Sequence, residues 1–321
     1  MLVLDNVRLT ADSKPLSHEF RRGCITVVLG RNGAGKTRLC RLIAGLDDCP
    51  SGDILISGER VNDLSPGKRS VALVYQEFVN YASLTVEENI GSPMRAAKRG
   101  IKERRTRVRE IAAQLELTDL LSRYPEELSG GQQQRVAIGR ALAKSAKVLV
   151  LDEPLVNLDF KLRESLEVQL RELLVREELT VVYTTSDPRD AFNLADDLVL
   201  LHEHQVVQTG EPLDVYQRPV DPVAADLMSD PGVNRLPHHG SMRLVRPEHL
   251  SLERSNTTDV MFSAKLLSAE TSGSETFLHC VVENEHWVAR LNGLHELDVG
   301  AEFELYAHQN SVLEFAEEGD G

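Results

Sequence analysis

The residues most able to do chemistry form one run, Gly30-Arg31-Asn32-Gly33-Ala34-Gly35-Lys36-Thr37. Its glycines let successive backbone N–H groups turn toward one anion, and a helix starting near Lys36 adds positive potential at the same spot. This is the spacing of a phosphate-binding loop, in which Lys36 reaches the β- and γ-phosphates of a nucleotide and the Thr37 hydroxyl ligates Mg²⁺. A second constellation, Val148-Leu149-Val150-Leu151-Asp152-Glu153, runs four apolar residues into two carboxylates. The apolar run predicts a buried strand with both carboxylates at its C-terminal end, where open α/β sheets take their ligands. Asp152 then holds the metal, directly or through water, and Glu153 polarises an attacking water. Gln76 closes another apolar run, 71–75, from which it can watch the metal or the water.

Positioning such groups requires a sheet with all these strand ends on one edge. Residues 2–9 and 24–30 read as strands, the second continuously apolar as a buried parallel strand is. A helix follows from Lys36 to about Leu46, then a strand pair over 53–61 with a Ser57-Gly58 turn, then a strand over 70–75. The stretch 86–143 is helical, with breaks expected at Gly91-Ser92-Pro93, Gly100 and Tyr124-Pro125. Strand patterns return at 148–151, 180–184 and 198–201, separated by a long amphipathic pattern over Phe160–Arg176. This alternation predicts a mostly parallel sheet covered on both faces. Composition changes near Asp230-Pro231-Gly232-Val233-Asn234. From about Gly240 short alternating runs (260–266, 276–282, 287–291, 303–308, 311–315) predict a small β-barrel or sandwich. An acidic tail, Glu317–Gly321, ends the chain.

The 321 residues suffice for two cored domains. The formal net charge of −14, from 50 acidic and 36 basic side chains, argues against nucleic acid as a partner. No stretch approaches the ~20 apolar residues of a membrane span, and the opening Met1-Leu2-Val3-Leu4-Asp5 lacks the layout of a signal peptide. A membrane role therefore requires a separate embedded partner. Cys24, Cys40, Cys49 and Cys280 show no metal-like spacing and read as reduced thiols. The pairs His202/His204 and His238-His239 read as surface loop histidines, since neither comes with a ligand set.

Leu128-Ser129-Gly130-Gly131-Gln132, followed by Gln133-Gln134-Arg135, resembles the signature sequence of ABC ATPases. The resemblance implies an α/β P-loop NTPase: a RecA-like core plus a helical subdomain at about 86–143, with ATP and Mg²⁺ as cofactors. It implies that Ser129, Gly130, Gly131 and Gln132 serve the ATP held on a partner subunit, and that Leu158-Asp159 crosses that dimer interface. Glu211 to Pro219 and Arg246-Pro247-Glu248 resemble the importer branch that includes maltose, glycerol-phosphate and spermidine systems. There an ATP-binding domain, here 1–235, is followed by an OB-like regulatory β domain, here 236–321. The short segments 74–81 and 183–188 are similar to an ATPase of glycerol (polyol) importers, which pair two non-identical ATP-binding subunits. Transmembrane permease subunits, a solute-binding protein and a peripheral place on the cytoplasmic face of the plasma membrane follow from the same resemblance. Phe78, Tyr81 and Leu84 become candidates for receiving a permease helix, against ordinary core packing. The basic run from Lys98 to Arg109 is a candidate for lipid or permease contact, against a solvated face interleaved with Glu103 and Glu110.

The chain departs from that branch at two places. Ser186 stands where the branch has a histidine that reaches the γ-phosphate, and a serine hydroxyl is shorter and uncharged. The segment Leu9-Thr10-Ala11-Asp12-Ser13-Lys14 lacks the aromatic that usually stacks on adenine. With Lys36, Thr37, Gln76, Asp152, Glu153 and the signature all present, a slow own site and a histidine-bearing partner are favoured over a homodimer. Other readings are an ATP-binding regulatory partner with little hydrolysis, an importer of another solute, and a soluble ABC ATPase working on ribosomes or DNA. The last would need a basic surface or tandem ATPase domains, which the sequence lacks.

Overall fold

A computed structural model describes residues 1–156, 160–238 and 240–316. The chain divides into two compact units, Met1–Val215 and Tyr216–Gly321. In the first, β1 (Leu2–Val7), β2 (Leu16–Phe20) and β3 (Ile25–Leu29) precede α1 (Lys36–Ala44). Then come β4 (Asp53–Ile56), β5 (Glu59–Arg60) and β6 (Val71–Val74), followed by α2 (Val86–Ala96), α3 (Ile101–Gln114) and α4 (Gly130–Ala143). The unit closes with β7 (Val148–Asp152), α5 (Phe160–Arg176), β8 (Thr180–Thr185), α6 (Pro188–Leu194), β9 (Asp197–His202) and β10 (Gln205–Gly210).

Six strands form the central sheet in the order β10-β9-β3-β8-β7-β6. β3, β7 and β8 are buried along their whole length, their Val, Ile, Leu and Tyr residues covered together with the threonines of β3 and β8 and Asp152 at the end of β7. A second, antiparallel sheet, β2-β1-β4-β5, packs its Leu2, Leu4 and Phe20 into one core with Leu39, Leu42 and Ile43 of α1. That core fixes α1, and with it the loop that precedes the helix.

The helical stretch departs from expectation at one point. α2 runs through Gly91-Ser92-Pro93 without a break. Pro93 has no N–H for the Asn89 carbonyl, but the Ser92 hydroxyl donates to that carbonyl at 2.7 Å. At Gly139 of α4 a Cβ would come within 3.1 to 3.3 Å of Leu115, Ile111 and Ile90, so a glycine there lets the three helices close together.

In the second unit, α7 (Pro212–Gln217, beginning in the first) and α8 (Pro222–Leu227) lead into β11 (Asn234–His238), β12 (Ser241–Val245) and β13 (Leu250–Ser251). β14 (Val260–Thr271), β15 (Glu275–Val282), β16 (Glu285–Asn292), β17 (Glu302–Ala307) and β18 (Val312–Ala316) follow. They form antiparallel sheets β11-β12-β18 and β13-β17-β14-β15-β16, an OB-like β fold. The inward residues alternate along β15, and Trp287 sits fully buried with its ring 4.8 Å from that of Phe262. Two segments quoted for their family likeness meet here. The Arg246 guanidinium stacks 3.7 Å over the Tyr216 ring and donates to the Tyr216 carbonyl and the Ser229 hydroxyl, while Tyr216 donates to Glu248. Burial, then the Glu248 bond, pushes the Tyr216 phenol up to about 12. Arg246→Ala removes the stacking and both guanidinium hydrogen bonds and is expected to cost about 2–4 kcal/mol, read as a lower denaturant midpoint by a probe of Trp287 fluorescence.

Candidate nucleotide site

β6, β7, β8, β3 and β9 are parallel neighbours, so the residues that follow them emerge at one edge of the sheet. Gln76 follows β6, Glu153 follows β7, Ser186 follows β8, the loop 30–35 follows β3 and His204 follows β9. A cavity of about 490 Å³ opens there, with Lys36, Thr37, Gln76, Glu153, Ser186 and His204 in its wall.

The loop is built as its glycines demand. Gly33 and Gly35 have φ of 83° and 106°, the left-handed region that side chains rarely adopt. A Cβ on Gly30 would meet the Leu201 carbonyl at 2.4 Å, so only glycine lets β9 pass this closely. Lys36, 4 % exposed, donates from Nζ to the carbonyls of Gly30 (2.6 Å) and Arg31 (3.1 Å) and pairs with Glu153 Oε1 at 2.9 Å. Its ammonium therefore sits at the mouth of the loop with a carboxylate as counter-ion.

The carboxylate strand is held from β8, in whose register Asp152 lies beside Thr184. Asp152 Oδ1 accepts from the Thr184 hydroxyl at 2.9 Å and from the Thr37 hydroxyl at 3.3 Å. The Glu153 N–H donates to the Thr184 carbonyl and hydroxyl at 3.2 and 3.1 Å. Glu153 itself has φ of 45°, a strained backbone for a glutamate, maintained where the chain turns its carboxylate toward Lys36. Beneath the site, burial and then the Asp152 charge push the Cys40 thiol well up, so it stays protonated; all four cysteines are free.

Ser186 stands exposed in the pocket wall on a braced turn. The Asp187 N–H donates to the Thr185 hydroxyl at 3.0 Å, and Arg163 of α5 reaches Asp187 at 3.0 Å, Asp190 at 2.5 Å and Glu167 at 3.0 Å. Burial, then the Asp190 charge, pushes the Tyr183 phenol well above its usual range, so it remains a donor to Asp190. The wall at position 186 is thus stiff, with a short side chain on it.

Lys36, Thr37, Gln76, Asp152, Glu153 and Ser186 are brought to one edge, together with Arg31, Asn32 and Ala34 of the loop. Ser129, Gly130, Gly131 and Gln132 are not in this pocket. Ser129 instead N-caps α4: its hydroxyl accepts from the Gln132 N–H at 3.4 Å, and the Gln132 amide oxygen accepts from the Ser129 N–H at 3.0 Å. Ser129 and Gly130 are exposed at the start of a 14-residue helix. Leu158-Asp159 lies outside the described residues.

Tyr81 is 50 % exposed, under an Arg140 guanidinium at 4.8 Å, so it does not serve as core. Its backbone is clamped by the buried Asn89 amide, which bonds both the Tyr81 N–H and carbonyl. On α3, Arg107 is half-buried and pairs with Glu177, just after α5, at 2.8 Å and with Glu110 at 3.6 Å, while Arg99 and Glu103 pair in the open at 3.5 Å.

Two residues were not singled out from sequence as parts of the site. Thr184 carries no signal beyond its place in an apolar strand. His204, expected on a surface loop, is half-buried against the phosphate loop, its N–H donating to the Ala34 carbonyl at 2.9 Å.

The arrangement can hold a phosphate chain in the backbone cradle, with an ammonium at its end. Thr37, Asp152 and Gln76 supply an all-oxygen donor set of the kind hard divalent cations take. Among the described residues no cluster of three or more His, Cys, Asp or Glu could hold a metal by itself. The cation that fits is one completed by the phosphates. No helix among the described residues is long and apolar enough to cross a membrane.

Comparison with known proteins agrees with this geometry. Residues 13–156 match the ABC transporter family. The alpha-glucoside transport ATP-binding protein of Rhizobium meliloti is 34% identical, over 91% of this chain and 91% of the relative. The sn-glycerol-3-phosphate import ATP-binding protein of Paracoccus denitrificans is 34% identical over 93% and 92%, and the maltose/maltodextrin import ATP-binding protein of Yersinia pestis 33% identical over 96% and 92%. Among solved structures, a dimeric ATP-binding cassette in a post-hydrolysis state with ADP and Pi shares 30% identity at a TM-score of 0.59. That likeness covers 66% of this chain and 99% of the other. A phosphate loop, an opposing pair of carboxylates and relatives alike along nearly the whole length lead to one conclusion: the chain belongs to the ABC transporter family as an ATP-binding subunit, an ATP hydrolase coupled to transport.

Proposed function

We propose that the chain powers uptake of a small carbohydrate or polyol, glycerol foremost, as one of two non-identical ATP-binding subunits of an importer. The observation that carries the reading is a pocket lined by Lys36, Thr37, Gln76 and Glu153, with Asp152 hydrogen-bonded to Thr37 behind it, whose remaining wall at Ser186 is short and uncharged. Bound with the nucleotide, Mg²⁺ offsets phosphate charge. Thr37 and Asp152, already joined through a hydrogen bond, are the residues to hold it, with Gln76 beside them. The Lys36 ammonium leaves Glu153 for the phosphates, which frees the Glu153 carboxylate to orient water. Ser186 lacks the reach and the charge to fix that water, so the chain's own site turns over slowly.

The exposed Ser129–Gln132 cap is then the chain's contribution to its partner's site. Domain limits of 1–235 for ATP binding and 236–321 for the β domain, permease subunits above the Tyr81 surface, a solute-binding protein and a peripheral place at the cytoplasmic face of the plasma membrane complete the proposal. The alpha-glucoside transport, sn-glycerol-3-phosphate import and maltose/maltodextrin import ATP-binding proteins among its relatives support a solute of this class. Uptake of radiolabelled glycerol, glycerol 3-phosphate and maltose in cells with and without the chain tests it. Loss of glycerol uptake alone is expected; unchanged uptake of all three would overturn the solute class.

A further inference from the structure

We infer that His204 is the nucleoside-side wall of the ATP pocket, its imidazole packing against the base or ribose of the bound nucleotide. The inference rests on the pocket being an ATP site. The sheet order β9-β3-β8-β7 places the loop after β3 between two flanks. Glu153 and Ser186, which face the phosphate to be cleaved, follow β7 and β8 on one flank. His204 follows β9 on the other. With strands about 4.8 Å apart, a triphosphate that ends by β7 and follows the loop after β3 carries its nucleoside to the β9 side.

His204 is at the right place to receive it. Its Cδ2 lies 2.9 Å, and Leu9 Cδ1 3.3 Å, from where a Cβ on Gly35 would be, so the imidazole covers the residue just before Lys36. Among the described residues in the pocket wall it is the one with an aromatic ring. No ring is offered by Leu9 to Lys14.

The backbone at this position gives an independent reason. His202 pairs with Gln205, so Glu203 and His204 are the two central residues of the β9–β10 hairpin, with φ of 45° and 64°. Such turns are relaxed with Asn-Gly or Gly-Gly. A histidine at the second position is strained relative to glycine, and that strain is maintained where the ring meets the phosphate loop.

The test uses the full chain and three probes: ATP, inorganic tripolyphosphate and thermal unfolding. His204→Gly is expected to leave the thermal midpoint unchanged or raised, to weaken ATP binding about five- to twentyfold, and to leave tripolyphosphate affinity unchanged. His204→Phe, which keeps a ring, is expected to bind ATP within about threefold of the parent. ATP affinity unchanged in His204→Gly would overturn the inference, and so would an equal loss for tripolyphosphate, which would make His204 a phosphate contact. Failure of His204→Phe to bind ATP while folding normally would overturn the packing role. Lys36→Ala serves as the control: undiminished ATP binding there would sink the ATP-site reading beneath the inference, separately from His204.

Discussion

Lys36→Ala is expected to weaken ATP binding by about a hundredfold. The lysine is nearly buried, held by two carbonyls of its own loop and by Glu153, so its ammonium is pre-placed and loses little freedom on meeting phosphate. A charge-assisted bond of this kind is worth about 1.5–3 kcal/mol. Its removal also leaves the Glu153 carboxylate facing an anionic ligand with nothing to offset it. The second effect predicts a partial rescue: Lys36→Ala with Glu153→Gln should recover several-fold of the lost affinity. For the same reason Glu153→Gln alone should bind ATP several-fold more tightly than the parent, because Lys36 is no longer shared. Isothermal titration of the four proteins with ATP measures all of this. Equal affinities for the parent and Glu153→Gln would mean the Lys36–Glu153 pair does not compete with the nucleotide.

Ser186→His is expected to raise the ATPase rate of this chain's own site by about 10²-fold, read in a pair whose partner carries the glutamate-to-glutamine change. A single well-placed transition-state contact contributes on the order of 10²–10³ in rate. Position 186 follows the strand next to β7, on a turn braced by Asp187 and Arg163, so a longer side chain there is aimed without rebuilding the backbone. His204 cannot substitute, since β9 is three strands from β7, about 14 Å at ordinary strand spacing. Phosphate release at saturating ATP is the measurement. A rate unmoved by Ser186→His, in a chain that binds ATP normally, would leave the serine as a tolerated variant.

The parts of the molecule legible in sequence were those whose signal is local. The phosphate loop declares itself by glycine spacing, and Asp152 and Glu153 by the apolar run that must be buried before them. The helix over Phe160–Arg176 follows from its periodicity. What escaped depends on partners distant in sequence. The Pro93 break does not occur because the neighbouring Ser92 hydroxyl takes over the orphaned carbonyl. β11 went unseen because Pro237 reads as a breaker; it is tolerated on a strand at the sheet's edge, paired on one side alone. Thr184 and His204 reach the site through strand order, which no short window of sequence records.

The most direct test co-expresses the chain with a histidine-bearing ATP-binding partner and compares ATPase rates of four pairs. These are the parent pair, Glu153→Gln in this chain, the equivalent glutamate change in the partner, and Ser129→Ala in this chain. A nearly silent Glu153→Gln, with turnover abolished by both the partner change and Ser129→Ala, is the predicted result. A Glu153→Gln loss as large as that of the partner's change would contradict the asymmetric pair and make both sites drive transport.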